Sequence, residues 1–274
     1  MSGHLSDQMQ QRSRSFDAWA LEYDRFRPTY PQSLFDYIAQ RLSLPADAQV
    51  ADLGSGTGKA ARAMARRGWR VTAVEPGEGM FEVLRARAVA DGLLIDARLA
   101  GAEDTALPNA SFDLVTAAQA FHWFDKPRAV AEMARIVRPS GGVAVFWNAR
   151  ADDRSPFLAA YTELMATYIP DEHVDRRERG RAGTAGEDLA QGGLFEVDDR
   201  VELHHSLEMD AERFIGYVFT ASYTRLFIDD DAQQRLRADL AALIGRQFGD
   251  GPVVVPYDID LYIGSRTAKE PDRD

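Results

Sequence analysis

The chain has no cysteine in its 274 residues. That excludes disulfides, thiolate metal sites and cysteine nucleophiles together. No apolar run approaches the roughly twenty residues that a bilayer-spanning helix needs. The opening stretch, Met1 to Ser15, is polar and lacks the apolar core of a signal peptide. Basic side chains are in deficit, 32 against 43 acidic, for a net charge of −11. Such a surface repels phosphate backbones and anionic lipid, so neither nucleic acid nor a membrane is an expected partner. Apolar residues make up 45% of the chain, enough for a large core. A cytoplasmic protein of one large domain is the expectation.

What the chain does have is glycine concentrated in one place. Val50-Ala51-Asp52-Leu53 reads as a short buried strand. Gly54-Ser55-Gly56-Thr57-Gly58 follows, with glycine at every second position, before a helix from about Lys59 to Arg67. Such glycines admit backbone angles closed to other residues and let a ligand lie on the main chain. Free amides at the helix start favour a negatively charged or electron-rich group. A second strand, Arg70 to Val74, ends in Glu75. An acid about twenty residues beyond the first glycine is placed to bind the two hydroxyls of a ribose. A nucleoside-containing cofactor is therefore the leading expectation.

Strand and helix alternate from residue 46 to 148. This pattern predicts a Rossmann-like, doubly wound α/β sheet, mostly parallel, with helices on both faces. Further strands are expected at Leu93 to Leu99, Ser111 to Thr116 and Val143 to Asn148. The glycine loop, Glu75, Glu103-Asp104 and the segment from Gln119 then all fall at carboxyl ends of strands, where such sheets bind ligands. Residues 1–14 read as a disordered tail, and 15–274 as a single domain. Within it, 15–45 forms a helical cap, with Phe16, Trp19, Ala20, Tyr23 and Phe26 at helical spacing. Residues 46–148 form the cofactor-binding core. Residues 149–193 read as an insertion, either a substrate lid or a solvated loop, with an amphipathic helix from Pro156 to Tyr168. Residues 194–274 supply C-terminal strands and helices. Val253 to Ile263 alternates as a last strand, in which Pro256 calls for a bulge or an edge.

The spacing hydrophobic-x-Asp-hydrophobic-Gly-x-Gly-x-Gly around Asp52 resembles the first motif of the class I S-adenosylmethionine-dependent methyltransferases. The segment Phe16-Asp17-x-Trp19-Ala20-x-x-Tyr23-Asp24-x-x-Arg27-Pro28-x-Tyr30-Pro31 is similar to one that precedes the glycine loop in small-molecule members. The resemblance covers residues 16 to about 148 well and the rest in outline. It implies S-adenosyl-L-methionine as cofactor, with the ribose on Glu75 beside Pro76 and the adenine wedged by Ala102, Glu103 and Asp104. The methionine moiety would lie between Gly54, Ser55, Gly56, Thr57 and Gly58 on one side and Gln119 and Ala120 on the other. Asp52 would order the loop or meet the cofactor's ammonium, since a buried carboxylate without a partner is costly. Tyr23 and Arg27 would close over the cofactor. Met80 belongs either to the adenine wall or to plain core. The resemblance also implies an antiparallel last strand beside the fifth.

Methyl transfer from a sulfonium is an in-line displacement, to which a protein contributes alignment and a dry site. A base is needed only where the acceptor holds its proton at neutral pH. His122, inside Gln119-Ala120-Phe121-His122-Trp123-Phe124, is the candidate; its other reading is a satisfied histidine among aromatics. Tyr30, Phe121 and Trp123 are candidates for the acceptor pocket. His4, His173, His204 and His205 are assigned no role, and no metal is expected. No Asn-Pro-Pro-Tyr or Asp-Pro-Pro-Tyr follows the fourth strand, which with the acidic charge points to a small-molecule acceptor; trans-aconitate-like carboxyl methyltransferases are among the nearer patterns. Two other readings stand beside this one. A nicotinamide-dependent oxidoreductase is disfavoured by the glycine spacing and by the missing Tyr-x-x-x-Lys pair, and a non-catalytic cofactor-binding module by the aromatic cap and pocket. The acceptor and the oligomeric state are left open.

Overall fold

The computed structural model describes residues 19–169, 184–198, 200–221, 224 and 228–269; the expected tail, 1–14, lies outside them. Two helices lead in, α1 (Ala20–Phe26) and α2 (Gln32–Arg41). The alternating core follows as β1 (Gln49–Leu53), α3 (Lys59–Arg66), β2 (Arg70–Glu75), α4 (Glu78–Ala90), β3 (Ile95–Leu99), β4 (Phe112–Ala118), α5 (Lys126–Ile136) and β5 (Val137–Arg150). A single 3-10 turn, Phe121–Trp123, links β4 to α5. The C-terminal part adds α6 (Pro156–Tyr168), α7 (Ala185–Ala190), β6 (Phe195–Val197), β7 (Val201–Met209), α8 (Ala211–Phe219), α9 (Asp230–Phe248) and β8 (Val253–Arg266).

The strands form one sheet in the order β3-β2-β1-β4-β5-β8-β6, with β7 also paired to β8. The first five are parallel to one another. β8 runs antiparallel beside β5, with Asn148 opposite Ile259, and β6 and β7 are antiparallel to β8. This is the mostly parallel sheet that the sequence calls for, with the reversed last strand that the family resemblance implies. The winding reverses between β1 and β4, so the crevice beyond their carboxyl ends is the expected ligand position. β1 is fully covered from Val50 to Leu53, as an unbroken apolar strand between two helix layers should be.

Two apolar layers fill the space on either side of the sheet. One gathers Leu53, Val115, Val145 and Trp147 with α5, and the other Val50, Val71, Leu114 and Phe146 with α2 and α3. α2 is thus not a detachable cap: Leu34, Phe35 and Ile38 are wholly buried in the second layer. α6 likewise departs from the expected insertion. Ser155 accepts from the Leu158 amide at 3.4 Å and Pro156 opens the helix, a favourable start. Its Phe157, Leu158, Tyr161 and Met165 are buried against α8, α9 and β8 in a third cluster. The remainder of the proposed lid, 170–183, falls outside the described residues.

β5 starts six residues earlier than the glycine-rich turn suggests, because Phe112 pairs with Val137 across an irregularity before regular pairing resumes at Leu114. Gly142 then lies so close to the Gly264 carbonyl that an added Cβ would stand 2.6 Å from its oxygen. Pro256 sits one residue past the last β5 pair, Arg150 with Tyr257. Ala151 donates to the Pro256 carbonyl at 3.0 Å, so the missing N–H faces the β5 side just past the end of that ladder, while Ser206 of β7 stands opposite Pro256 on the other side.

Candidate functional site

Parallel pairing of Leu53 with Val74 brings the end of β1 level with the end of β2. The glycine loop and Glu75 meet there. The Gly56 amide donates to Glu75 Oε2 at 2.7 Å, and the Gly77 amide to Oε1 at 2.9 Å. A carboxylate offers about four acceptor directions, so two main-chain donors orient Glu75 and leave capacity for hydroxyls. Gly54, Gly56 and Gly58 all have positive φ, but they differ in surroundings. A Cβ on Gly54 would stand 2.7 Å from Ala120 Cβ, and one on Gly58 2.9 Å from Leu84 Cγ; one on Gly56 meets nothing within 4 Å. The outer glycines allow close packing, and the middle one opens onto a cradle.

Beneath the loop, Asp52 is fully buried. Thr116 donates to its Oδ1 at 2.7 Å, while Oδ2 has no hydrogen-bond partner among the described residues. Burial pushes this carboxyl up to about 7; the Thr116 bond opposes the shift and the Glu75 charge adds to it. Ser55 Oγ and Thr57 Oγ1 are buried without hydrogen-bond partners among the described residues as well. Buried polar atoms of this kind, one carboxylate oxygen and two hydroxyls, point to a ligand with polar groups to meet them. Asp52, Ser55, Thr57, Glu75 and the open face of Gly56 together fit a nucleoside with a cationic end.

The other wall comes from β4. Gln119 has φ of +56°, a costly conformation for a residue with a side chain and one that gathers at working sites. Its amide donates to the Phe146 carbonyl and its Nε2 to the Asn148 carbonyl, each at 2.9 Å. Ala120 packs onto Gly54. The cap arrives from the third side. Burial holds the Tyr30 hydroxyl well above its usual range, Tyr23 and Asp52 add to the effect, and Arg27 opposes it. These four side chains therefore share one neighbourhood. Arg27 lies over the Tyr23 ring at 5.2 Å and donates to the Thr220 carbonyl at 3.1 Å. Met80 packs with Ala20, Val83 and Tyr23 under α1, which gives it the core position among its two readings.

The cap is held by an acid that the sequence pattern contains but that carries no role in it. Asp24 is buried and paired with Arg62, with Arg87 at 2.7 Å and with Lys59 at 3.9 Å. Lys59, directly after the glycine loop, also donates to the Asp24 carbonyl at 2.6 Å. Removing one partner of a buried ion cluster strands the others. Asp24→Ala is expected to release α1, speed proteolysis at Arg25 and weaken cofactor affinity about tenfold.

The remaining expected site residues take the following positions. Phe121 is 1% exposed and belongs to the core layer against Phe124, so its ring is not presented to an acceptor. Glu103 accepts from the Asp125 amide at 2.9 Å, tying the loop after β3 to the start of α5. Asp104 is exposed in a tight turn closed by its bridge to Gly101; Ala102 is buried beside it, and Pro76 is exposed. The Trp123 ring lies 4.7 Å from that of His122, tilted by 43°. His122 takes the Trp147 indole N–H on Nδ1 at 3.2 Å. Indole only donates, so that nitrogen is the acceptor and the proton sits on Nε2. The lone pair that a general base would use is committed, which corrects the role expected of His122. His122→Ala is accordingly expected to keep its turnover within about threefold once a substrate is known, at a modest cost in stability.

Residues that the sequence reading passed over cluster at the end of β5. Asn148 donates to the Thr29 carbonyl at 3.4 Å and accepts from His205 at 2.8 Å. Arg150 lies over the Tyr161 ring at 4.6 Å and pairs with Asp152 at 3.2 Å. Polar residues ending an apolar strand at a carboxyl edge were the available signal.

Comparison with known proteins agrees with this architecture. Residues 51–145 match the model of the methyltransferase domain family. An uncharacterized methyltransferase of Mycobacterium tuberculosis is 40% identical over 154 residues, 56% of this chain and 59% of that protein. The chain therefore spans 59% of the length of the first curated relatives it matches. The nocamycin O-methyltransferase of Saccharothrix syringae is 26% identical over 277 residues, with 91% of this chain and 94% of that one covered. A solved chain from Anaeromyxobacter dehalogenans, assigned as a type II methyltransferase, matches with TM-score 0.63 at 27% identity, over 89% of this chain and 100% of its own. Residues 51–145 are thus similar to a methyltransferase domain, within a chain whose fold matches that of a solved methyltransferase.

Proposed function

We propose that this protein binds S-adenosyl-L-methionine between the glycine loop and Glu75 and transfers its methyl group to a small-molecule acceptor. The observation that carries this reading is the 2.7 Å bond from the Gly56 amide to Glu75, which joins loop and acid into one cradle beneath the open face of Gly56. Glu75 would take the ribose hydroxyls, Asp52 the cofactor's ammonium, and the main chain near Gln119 and Ala120 the opposite side of the methionine moiety. The bound cofactor supplies a methyl group on a positively charged sulfur, so the leaving group is a neutral thioether. The chain supplies alignment and exclusion of water: Tyr23, Arg27 and Tyr30 close the site from above, and Asp24 holds them there. A relative named as an O-methyltransferase supports oxygen as the receiving atom. The test is a screen of small acids, phenols and amines with methyl-labelled cofactor, read by product mass. Labelled product from any of them supports the reading, and cofactor binding without turnover across the panel would favour a non-catalytic module.

Asp52 gives this reading a pH signature. Its carboxyl is raised to about 7, so below that pH it is mostly protonated and offers no charge to an ammonium. Affinity for the cofactor should rise about tenfold from pH 6 to pH 8, following the ionised fraction. Asp52→Asn should flatten the profile in a calorimetric titration. A profile of unchanged steepness in the variant would remove Asp52 from the cofactor's ammonium.

A further inference from the structure

The second histidine of the site is bonded in the opposite sense to His122. Asn148 uses its Nδ2 to donate to the Thr29 carbonyl, which fixes its amide with Oδ1 toward His205. A carbonyl oxygen only accepts, so His205 Nε2, 2.8 Å away, carries the ring proton. The lone pair is therefore on Nδ1. Where the Trp147 contact uses up the basic nitrogen of His122, the Asn148 contact orients His205 and keeps its basic nitrogen basic.

The position agrees with that chemistry. His205 occupies the inward face of β7, in line with Leu203 and Leu207 and opposite the exposed Glu202 and His204. A short chain of contacts links it to the cradle: His205 to the Asn148 side chain, the Asn148 carbonyl to Gln119, and Ala120 to Gly54. Asn148 also reaches the cap beside Tyr30, whose hydroxyl feels the Asp52 charge. Around the imidazole, β8 supplies Tyr257, stacked at 5.5 Å. β5 supplies Arg150 in the same cross-strand row, its charge matched by Asp152. Burial lowers the affinity of the ring for a proton, so it stays neutral near pH 7, the state a base requires.

We propose that His205, oriented by Asn148, accepts the proton of the methyl acceptor, and that the acceptor is accordingly a hydroxyl compound rather than a carboxylate. This rests on the function proposed above. The acceptor oxygen's lone pair forms the new bond to carbon as the sulfur–carbon bond breaks, its electron pair remaining on sulfur. The hydroxyl proton passes to His205 Nδ1 and from there to solvent. A carboxylate acceptor carries no proton at neutral pH and would leave an oriented base without a task.

The test uses the full chain labelled with 15N-histidine, with the resonance of His205 identified by its loss in His205→Gln. Long-range proton–nitrogen spectra should show the Nε2–H form at pH 7, and Asn148→Ala should relax that preference. Titrated with S-adenosylmethionine, His205 should bind its proton about tenfold more weakly than with S-adenosylhomocysteine, because only the former places a sulfonium charge nearby. Equal proton affinities with the two nucleosides, or an Nδ1–H ring, would overturn the proposal. In the labelled-methyl screen, turnover confined to benzoates and absent from phenols would overturn it too. Failure of both nucleosides to bind would be a different result: it would sink the cofactor assignment, and the role of His205 with it.

Discussion

Gly56→Val should abolish S-adenosylmethionine binding, by at least about a hundredfold, while the circular dichroism of the chain stays unchanged. The contrast among the three loop glycines sets this expectation. A side chain on Gly54 or Gly58 would collide with Ala120 or Leu84, so substitution there damages the fold and the site together. A side chain on Gly56 meets no protein atom within 4 Å. It does meet strain, because the residue sits at φ of +57°, a conformation that costs a residue with a Cβ on the order of 1–2 kcal/mol. That cost is affordable for a domain of this size, whereas the isopropyl group would stand where the cofactor should lie. Undiminished affinity in Gly56→Val would mean that the loop faces something other than the ligand.

Glu75→Ala should weaken cofactor affinity on the order of a hundredfold and also lower stability. Two effects are joined in this side chain. It accepts from the Gly56 and Gly77 amides, and deleting the carboxylate leaves two donors unmatched, at about 1–3 kcal/mol each. It is also the group expected to accept from two ribose hydroxyls, and bonds to a charged acceptor are worth about 1.5–3 kcal/mol each. Glu75→Gln is the milder change, since it keeps the length and one acceptor oxygen while removing the charge. Each carboxylate oxygen accepts from one amide, so the Gln variant keeps one of these bonds and turns an NH2 toward the other donor; it should melt between the Ala variant and the parent protein and bind at least about tenfold more weakly. Parent-like affinity in both variants would place the nucleoside somewhere else.

The parts of this site that could be read in advance are those encoded within a few residues of one another. Asp52, the three glycines and Glu75 are bound together by the βαβ unit they belong to, and the pairing of Leu53 with Val74 follows from two apolar strands joined by one helix. The mostly parallel sheet followed from the same alternation, and the reversed last strand from the family resemblance. What was not legible depends on distant contacts. His122 looks like a base among aromatics until Trp147, twenty-five residues on, places its N–H on the basic nitrogen. His205 lies fifty-seven residues from Asn148, and nothing local links the two. Its place on the apolar face of β7 was nonetheless visible, since the alternation Val201, Leu203, His205, Leu207 puts a polar ring inside. Phe121 shares a segment with Gln119, yet the 3-10 turn rotates its ring into the core. The apolar stripe of α6 was legible, but the surface it packs against was not, because α8, α9 and β8 lie far along the chain.

The most direct test is a crystal structure of the chain soaked with S-adenosylhomocysteine. Both ribose hydroxyls should lie about 3 Å from the Glu75 carboxylate, with the chain of the nucleoside passing over Gly56 and its ammonium toward Asp52. A nucleoside bound away from Glu75, or a loop that stays closed over bare protein while the ligand sits elsewhere, would contradict the account.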